Sequence, residues 1–281
     1  MAVNVKIEQA RIIKKKIDIY EIIKNKELMY GISEENYILE PLKTGANTIV
    51  YQKERIARGI DIWQEDYDIC LSLSLPTTEE EIELFYELIE AFCKKQRTKK
   101  FFKDEEYVHI KNKQELIEMD KETSRKALVE IKERIKKSKT RKFQIFGALN
   151  PISIGSKEIE QINDNLTNLG NLLNELQQTE AKYIAPKLYK KKNDNLYGIY
   201  YISPNVTSIV PTKAYSLLNP SEEVKEWFVH LEGLDMIPFD DFIKNVQKIQ
   251  DYDTDHIIIK LTEEECKELN EKYKIEFAKN E

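Results

Sequence analysis

The stretch Asp68-Ile-Cys-Leu-Ser-Leu-Ser-Leu75-Pro-Thr-Thr-Glu-Glu-Glu-Ile-Glu-Leu-Phe-Tyr-Glu-Leu-Ile-Glu90 changes its hydrophobic period halfway, and that change decides the fold class. From Asp68 to Leu75 the period is two. Ile69, Leu71, Leu73 and Leu75 fall on one side, and Cys70, Ser72 and Ser74 on the other, which is a strand with one buried face. Pro76 ends the ladder because it has no N–H to donate. From Thr78 the spacing turns helical: Ile82, Phe85, Leu88, Ile89 and Phe92 make one stripe. Thr78 and Glu81 stand three residues apart, the spacing of a capping box in which each side chain accepts from the other's backbone N–H. A half-buried strand running straight into an amphipathic helix predicts a sheet with a helix laid on it.

The flanking sequence repeats this grammar. Upstream, Val3–Glu8, Tyr37–Glu40, Thr48–Gln52 and Gly59–Gln64 read as strands and Ile17–Lys24 as a small helix. Glu65-Asp66-Tyr67 reads as the hairpin turn into Asp68. Downstream, Phe101–Ile110 reads as extended, Gln114–Met119 as a short helix, and Glu122–Ser138 as a longer, highly charged one with a stripe of Leu128, Ile131 and Ile135. Phe143–Ala148 is a strand expected to enter a turn at Asn150-Pro151, and Leu166, Leu169, Leu172, Leu173 and Leu176 mark another helix. Strands follow at Tyr183–Lys190, Tyr197–Ile202 and Thr207–Pro211, the first two joined by a polar turn over 192–195. Trp227–Leu231 and His256–Leu261 are further strands around a helix at Phe239–Gln247, and Thr262 with Glu265 opens a last helix with a second capping box. The expected class is α+β, with mostly antiparallel sheets and helices packed on one face. Two lobes are expected, residues 1–112 and 142–281, joined by a charged helical connector over 113–141.

Composition narrows the function classes more than motifs do. The chain has 281 residues, 33% of them charged with both signs interspersed, and a net charge of −6. That suits a solvated globular surface and disfavours bulk binding to nucleic acid or anionic membrane. The longest apolar runs fall far short of the roughly 18–20 residues a membrane span needs. The first residues show no basic leader followed by an apolar stretch. Cys70, Cys93 and Cys266 are odd in number and lie in apolar patterns, as buried reduced thiols do. The expected location is the cytoplasm.

Candidate chemistry is sparse. Asp253, Asp255 and His256 sit in a carboxylate-rich run, yet the glycine and terminal Glu of a calcium loop are missing, so no metal and no cofactor are expected. His109 and His230 alternate with apolar neighbours, as structural histidines do. Ser153 has neither a nucleophile-elbow pattern nor a base nearby in sequence. No catalytic residue is identified. Two surface candidates remain. Tyr189, Tyr197, Tyr201 and Tyr215 belong to a tyrosine-rich tract, and tyrosine favours protein interfaces because it brings large area and a polar tip with few rotatable bonds. Lys132, Arg134, Lys136, Lys137, Lys139, Arg141 and Lys142 lie in the run from Arg125 to Lys142, where nine cations meet only Glu130 and Glu133. With Arg97–Lys103, where Phe101 and Phe102 stand among bases, this run is the nucleic-acid alternative. The leading expectation is a non-enzymatic protein that docks on another protein, in an immunity-, inhibitor- or adaptor-like role. An enzyme with an unrecognised site is the third.

Leu75–Glu90, Phe146-Gly-Ala-Leu-Asn-Pro-Ile-Ser-Ile-Gly155, Tyr183-Ile-Ala-Pro-Lys-Leu-Tyr189 and Leu196-Tyr-Gly-Ile-Tyr-Tyr-Ile202 resemble a family of bacterial proteins of similar length, number 4299 in the series of domains of unknown function. The resemblance runs nearly the whole chain. It implies a bacterial, cytosolic protein and transfers no catalytic residue.

Overall fold

The change of period at Pro76 is a strand giving way to a helix in the computed structural model, which describes residues 1–10, 13–33, 38–191, 195–217 and 224–275. Tyr37 and most of the turn expected at 192–195 lie outside the described residues. The chain divides into two compact units, Met1–Gln178 and Thr179–Glu281.

The first unit runs β1 (Ala2–Ile7), α1 (Ile19–Asn25), β2 (Met29–Ser33), β3 (Leu39–Pro41), β4 (Asn47–Tyr51), β5 (Ile60–Glu65), β6 (Asp68–Ser74), α2 (Glu79–Gln96), β7 (Lys100–Lys103), β8 (Glu106–His109), α3 (Lys113–Lys137), β9 (Phe143–Phe146), β10 (Pro151–Ile154), α4 (Ser156–Ile162) and α5 (Leu166–Gln177). Eight strands form one sheet in the order β3-β2-β4-β5-β6-β1-β7-β8, antiparallel at every step. β9 and β10 make a separate hairpin. Register follows the alternation: Leu71 sits between Val5 and Ile62, and Leu73 between Val3 and Ile60, all buried on one face. Ile82, Phe85, Leu88, Ile89 and Phe92 of α2 pack into the same core with no exposed surface. Each such side chain contributes about 1.5–3 kcal/mol by leaving water.

Only half of the expected capping box at α2 forms. Thr78 Oγ1 accepts from the Glu81 N–H at 3.0 Å. The Glu81 carboxylate turns instead to the loop before β5, accepting from Gly59 N at 2.7 Å, Arg58 N at 3.2 Å and the Thr77 hydroxyl. The buried carboxylate thereby satisfies two loop N–H groups that would otherwise be buried without an acceptor.

The two helices expected between Gln114 and Ser138 are one helix of 25 residues, α3. The apolar stripe looked broken because Asp120, Lys121 and Ser124 lie on the buried side. Each has a remote partner. Asp120 accepts from Tyr86 Oη at 2.6 Å and Lys103 Nζ at 3.2 Å, Lys121 pairs with Glu83 at 2.7 Å, and Ser124 exchanges hydrogen bonds with the Thr77 backbone at 2.7 and 2.8 Å. α3 is therefore part of the first unit and no connector: Leu116, Ile117, Ala127, Leu128, Ile131 and Ile135 are buried along it. The unit extends past residue 142 to 178, and from the expected Asn150-Pro151 turn onward β10 and α4 occupy a stretch where no element was expected.

The second unit runs β11 (Lys182–Tyr183), β12 (Lys187–Lys190), β13 (Leu196–Ile202), β14 (Ser208–Pro211), β15 (Val224–Leu231), β16 (Met236–Pro238), α6 (Phe239–Asn245), β17 (Lys248–Asp251), β18 (His256–Ile259) and α7 (Glu263–Tyr273). It holds two four-stranded sheets, β11-β14-β18-β17 and β12-β13-β15-β16. β11 with β14 and β13 with β15 run parallel, and the other pairs are antiparallel. Tyr200, Ile202, Val229 and Leu231 share a core with Ile257, Ile259, Phe239, Phe242 and Cys266. The capping box at α7 forms in full. The class is α+β with mostly antiparallel sheets. All three cysteines are buried free thiols. Among the described residues no helix is long and apolar enough to cross a membrane.

Candidate functional site

Strand β13 has two different faces. Gly198, Tyr200 and Ile202 point into the core, and Gly198 is required there, because a Cβ would come within 2.2 Å of the Trp227 ring on β15. Tyr197, Ile199 and Tyr201 point the other way. Register then sets their neighbours. Tyr189 of β12 lies opposite Tyr197 and Lys187 opposite Ile199; on β15, Glu226, Phe228 and His230 stand beside Tyr197, Ile199 and Tyr201.

The result is an aromatic face. Tyr189 and Tyr197 stack with centroids 5.5 Å apart, Tyr197 meets Phe228 edge-on at 6.2 Å, and Tyr201 lies 5.3 Å from His230. The Tyr189 and Tyr201 hydroxyls are hydrogen-bonded at 2.8 Å. Lys187 Nζ lies 5.4 Å from the centre of the Tyr201 ring, and Lys191 holds Glu226 through both carboxylate oxygens at 2.8 and 2.7 Å. Tyr201 is 38% exposed, and Tyr189, Tyr197 and His230 are half-buried. Partial burial and the Tyr189 hydroxyl raise the Tyr201 phenol to about 12, so it stays protonated and available as a donor at neutral pH.

Tyr215 is not on this face. Its hydroxyl meets His256 Nε2 at 2.7 Å and the Tyr183 hydroxyl at 2.8 Å. His256 also touches Tyr183 at 2.9 Å through Nε2, and its Nδ1 lies 2.7 Å from Asp253 Oδ1. With Nδ1–H donated to Asp253, Nε2 is the acceptor for a phenol proton. Asp253 Oδ1 also accepts from the backbone N–H of Asp255 and of His256, both at 2.9 Å. This network fastens the segment carrying Tyr215 to β11 and β18. Asp253 and His256 thus engage their ligand atoms with each other and with phenols. Among the described residues no group of three His, Cys, Asp or Glu could hold a metal ion.

The basic run is more balanced than its sequence suggests. Lys132 pairs with Asp164 at 2.6 Å, Arg134 with Glu130, and Lys136 and Lys137 with Glu133. Arg125 and Lys126 reach Glu79 and Glu122, carboxylates outside the run. Lys139, Arg141 and Lys142 are exposed in the segment after α3. In Arg97–Lys103, Phe101 is core and Lys103 is the buried partner of Asp120, so neither serves a stacking surface.

Sequence reasoning passed over Arg58 and Asp61 and read Glu81 only as a helix cap. Arg58 bonds the carbonyls of Pro76 and Phe146, 18 and 88 residues away, and Glu81 reaches Gly59, so no local spacing marks these long-range roles.

A family model described as a domain of unknown function (DUF4299) matches residues 2–269. No curated protein and no solved structure matches the chain.

Proposed function

We propose that this chain, which belongs to the DUF4299 family, is a docking protein that holds a partner protein on the aromatic face of β12, β13 and β15. The observation that carries the reading is the convergence of Tyr189, Tyr197, Tyr201 and His230 on a sheet face whose other side is already the core of the unit. The rings hold one another by stacking and by the Tyr189–Tyr201 hydrogen bond, so little side-chain freedom is left to lose on binding. Charge selects the partner. Lys187 is exposed beside Tyr201, so the matching surface is an apolar or aromatic side chain flanked by carboxylates. An immunity-, inhibitor- or adaptor-like role is an instance of such docking. The nucleic-acid alternative rests on fewer cations than the sequence promised, because carboxylates of Glu79, Glu122 and Asp164 join the basic helix.

The test is capture with the tagged chain from nuclease-treated native lysate, followed by hydrogen exchange on the captured complex. Protection is expected over 187–190, 196–202 and 226–230. Tyr201→Glu should weaken capture at least about tenfold without a matching loss of melting temperature, as burying an unpaired charge in an interface does. Protection confined to other segments, or full capture by Tyr201→Glu, refutes the docking face. Nuclease-sensitive capture that is lost on replacing Lys136, Lys137, Lys139 and Arg141 with Glu replaces it with the nucleic-acid reading.

A further inference from the structure

The eight-stranded sheet of the first unit has a second face, turned away from α2, and a cavity of about 250 Å³ opens on it. Alternation puts Ser33 of β2, Asn47 and Ile49 of β4, Asp61 of β5 and Ser74 of β6 on this floor, with Ile49 directly opposite Asp61. Arg58, Gly59, Phe146 and Gly147 form the wall. The volume leaves room for a compact metabolite.

Two opposite charges line the cavity, attracting each other but not in direct contact. Arg58 Nε donates to the Phe146 carbonyl at 3.0 Å, and one terminal nitrogen donates to the Pro76 carbonyl at 3.3 Å. Those bonds fix the guanidinium plane and leave its second terminal nitrogen for another acceptor. Asp61 accepts from Asn47 Nδ2 at 3.2 Å through Oδ1, which leaves Oδ2. Among the described residues the two make no ion pair with each other. Glu81, behind Arg58, is saturated by Gly59, Arg58 and Thr77. Burial lowers Arg58 to about 10 against the pull of Glu81 and Asp61, which leaves it charged at neutral pH; burial raises Asp61 against the Asn47 hydrogen bond and the attraction of Arg58.

Arg58 and Asp61 attract each other across the cavity without touching, so a fixed cation and a fixed anion face one chamber with room between them for a ligand that carries both charges. An anion alone would meet Arg58 and be repelled by Asp61; a cation alone meets the reverse. We infer that this cavity binds a small zwitterion of the α-amino-acid type, its carboxylate on Arg58 and its ammonium on Asp61. Ser33 and Ser74 lie on the same floor.

The experiment is calorimetric titration and thermal unfolding of the full chain with glycine, L-alanine and L-serine, and with N-acetylglycine and glycinamide, which each lack one charge. At about 100 times the dissociation constant, a free amino acid should raise the melting temperature of the first unit by about 5–10 °C. Each capped analogue should bind at least about tenfold more weakly. Asp61→Asn keeps the shape of the side chain, and should bind glycine and N-acetylglycine alike. Arg58→Met should abolish binding. Because Arg58 also anchors two carbonyls and its loss can unfold the unit, Asp61→Asn and the capped analogues decide independently of it. No heat and no stabilisation at about 10 mM of any free amino acid, or equal affinity for free and capped forms, overturns the inference.

Discussion

Replacing Asp120 by Ala should destabilise the first unit far more than an average surface change. Asp120 and Lys103 have 4% and 8% of their surface exposed, and the carboxylate holds both Lys103 at 3.2 Å and the Tyr86 hydroxyl at 2.6 Å. At 3.2 Å and an effective dielectric of about 20 the attraction is about 5 kcal/mol, most of it offset by desolvation of both ions. Removal of one partner exposes that desolvation. Lys103 keeps only Asp104, at 3.0 Å on a side chain 62% exposed, and Tyr86 loses its acceptor. The expected loss is about 3–5 kcal/mol, or about 8–16 °C in melting temperature for a unit of this size. Trp63 lies in the first unit and Trp227 in the second, so urea unfolding of a Trp227→Phe background, read by tryptophan fluorescence, follows the first unit alone. With a slope of about 2 kcal/mol/M the midpoint should fall by about 2 M. Adding Lys103→Met should recover about 2 kcal/mol, since it removes the orphaned charge. A loss under about 1 kcal/mol for Asp120→Ala, or a further loss with Lys103→Met, refutes the reasoning.

Three other outcomes follow from local geometry. Gly147→Ala should cost about 1–3 kcal/mol, because its Cβ would lie 2.4–2.6 Å from the Gln177 amide that holds Leu149 N, Asn150 N and Asn150 O; equilibrium unfolding measures this. The thiols should stay unreactive towards a disulfide reagent in the native chain and react fully in denaturant, since burial pushes Cys70 to about 11 and Cys93 to about 12; native labelling of Cys93 on mixing would contradict it. Hydrogen bonds from the Thr262 backbone N–H and hydroxyl hold Glu265 below its ordinary value of 4.5. A depressed folded-state pKa gives stability present above about 4.5 and lost as pH falls through the lower folded value. The protection factors over 262–266, exchange rates divided into their intrinsic values at each pH, should therefore fall as the solution is acidified below 4.5 and stay constant above it.

The fold was legible where one local pattern sufficed. The alternation of Asp68–Leu75, the stripe of α2 and the Thr262–Glu265 box each state their structure within a dozen residues. It was illegible where polar residues are buried by distant partners. Asp120 and Ser124 interrupt the stripe of α3 in sequence, and only Tyr86, Lys103 and the Thr77 backbone show that they belong to its buried side. Glu81 has the right spacing for a cap, but two loop N–H groups outcompete the helix end for it. The aromatic face was half legible. Composition marks the tyrosines, whereas strand register alone separates Tyr189, Tyr197 and Tyr201 from Tyr215, which belongs with His256. Arg58 and Asp61 carry no signal in sequence, because only the pairing of β4, β5 and β6 gathers the residues around them.

The chain of the second unit crosses repeatedly between its two sheets: β11 in one, β12 and β13 in the other, β14 back in the first, β15 and β16 in the second, β17 and β18 in the first. During synthesis this has a kinetic meaning. The sheet of the first unit needs nothing beyond His109, so it is complete early in the emerging chain. The partner of β14 is β18, which ends at Ile259, so β14 emerges with its antiparallel edge unpaired. At about 5–20 residues per second, the ribosome takes about 4–16 s to go from residue 178 to 259. For that interval the tyrosine-bearing strands stand outside a finished core, and this is the part of the nascent protein on which a chaperone, or a neighbouring nascent chain, has time to act.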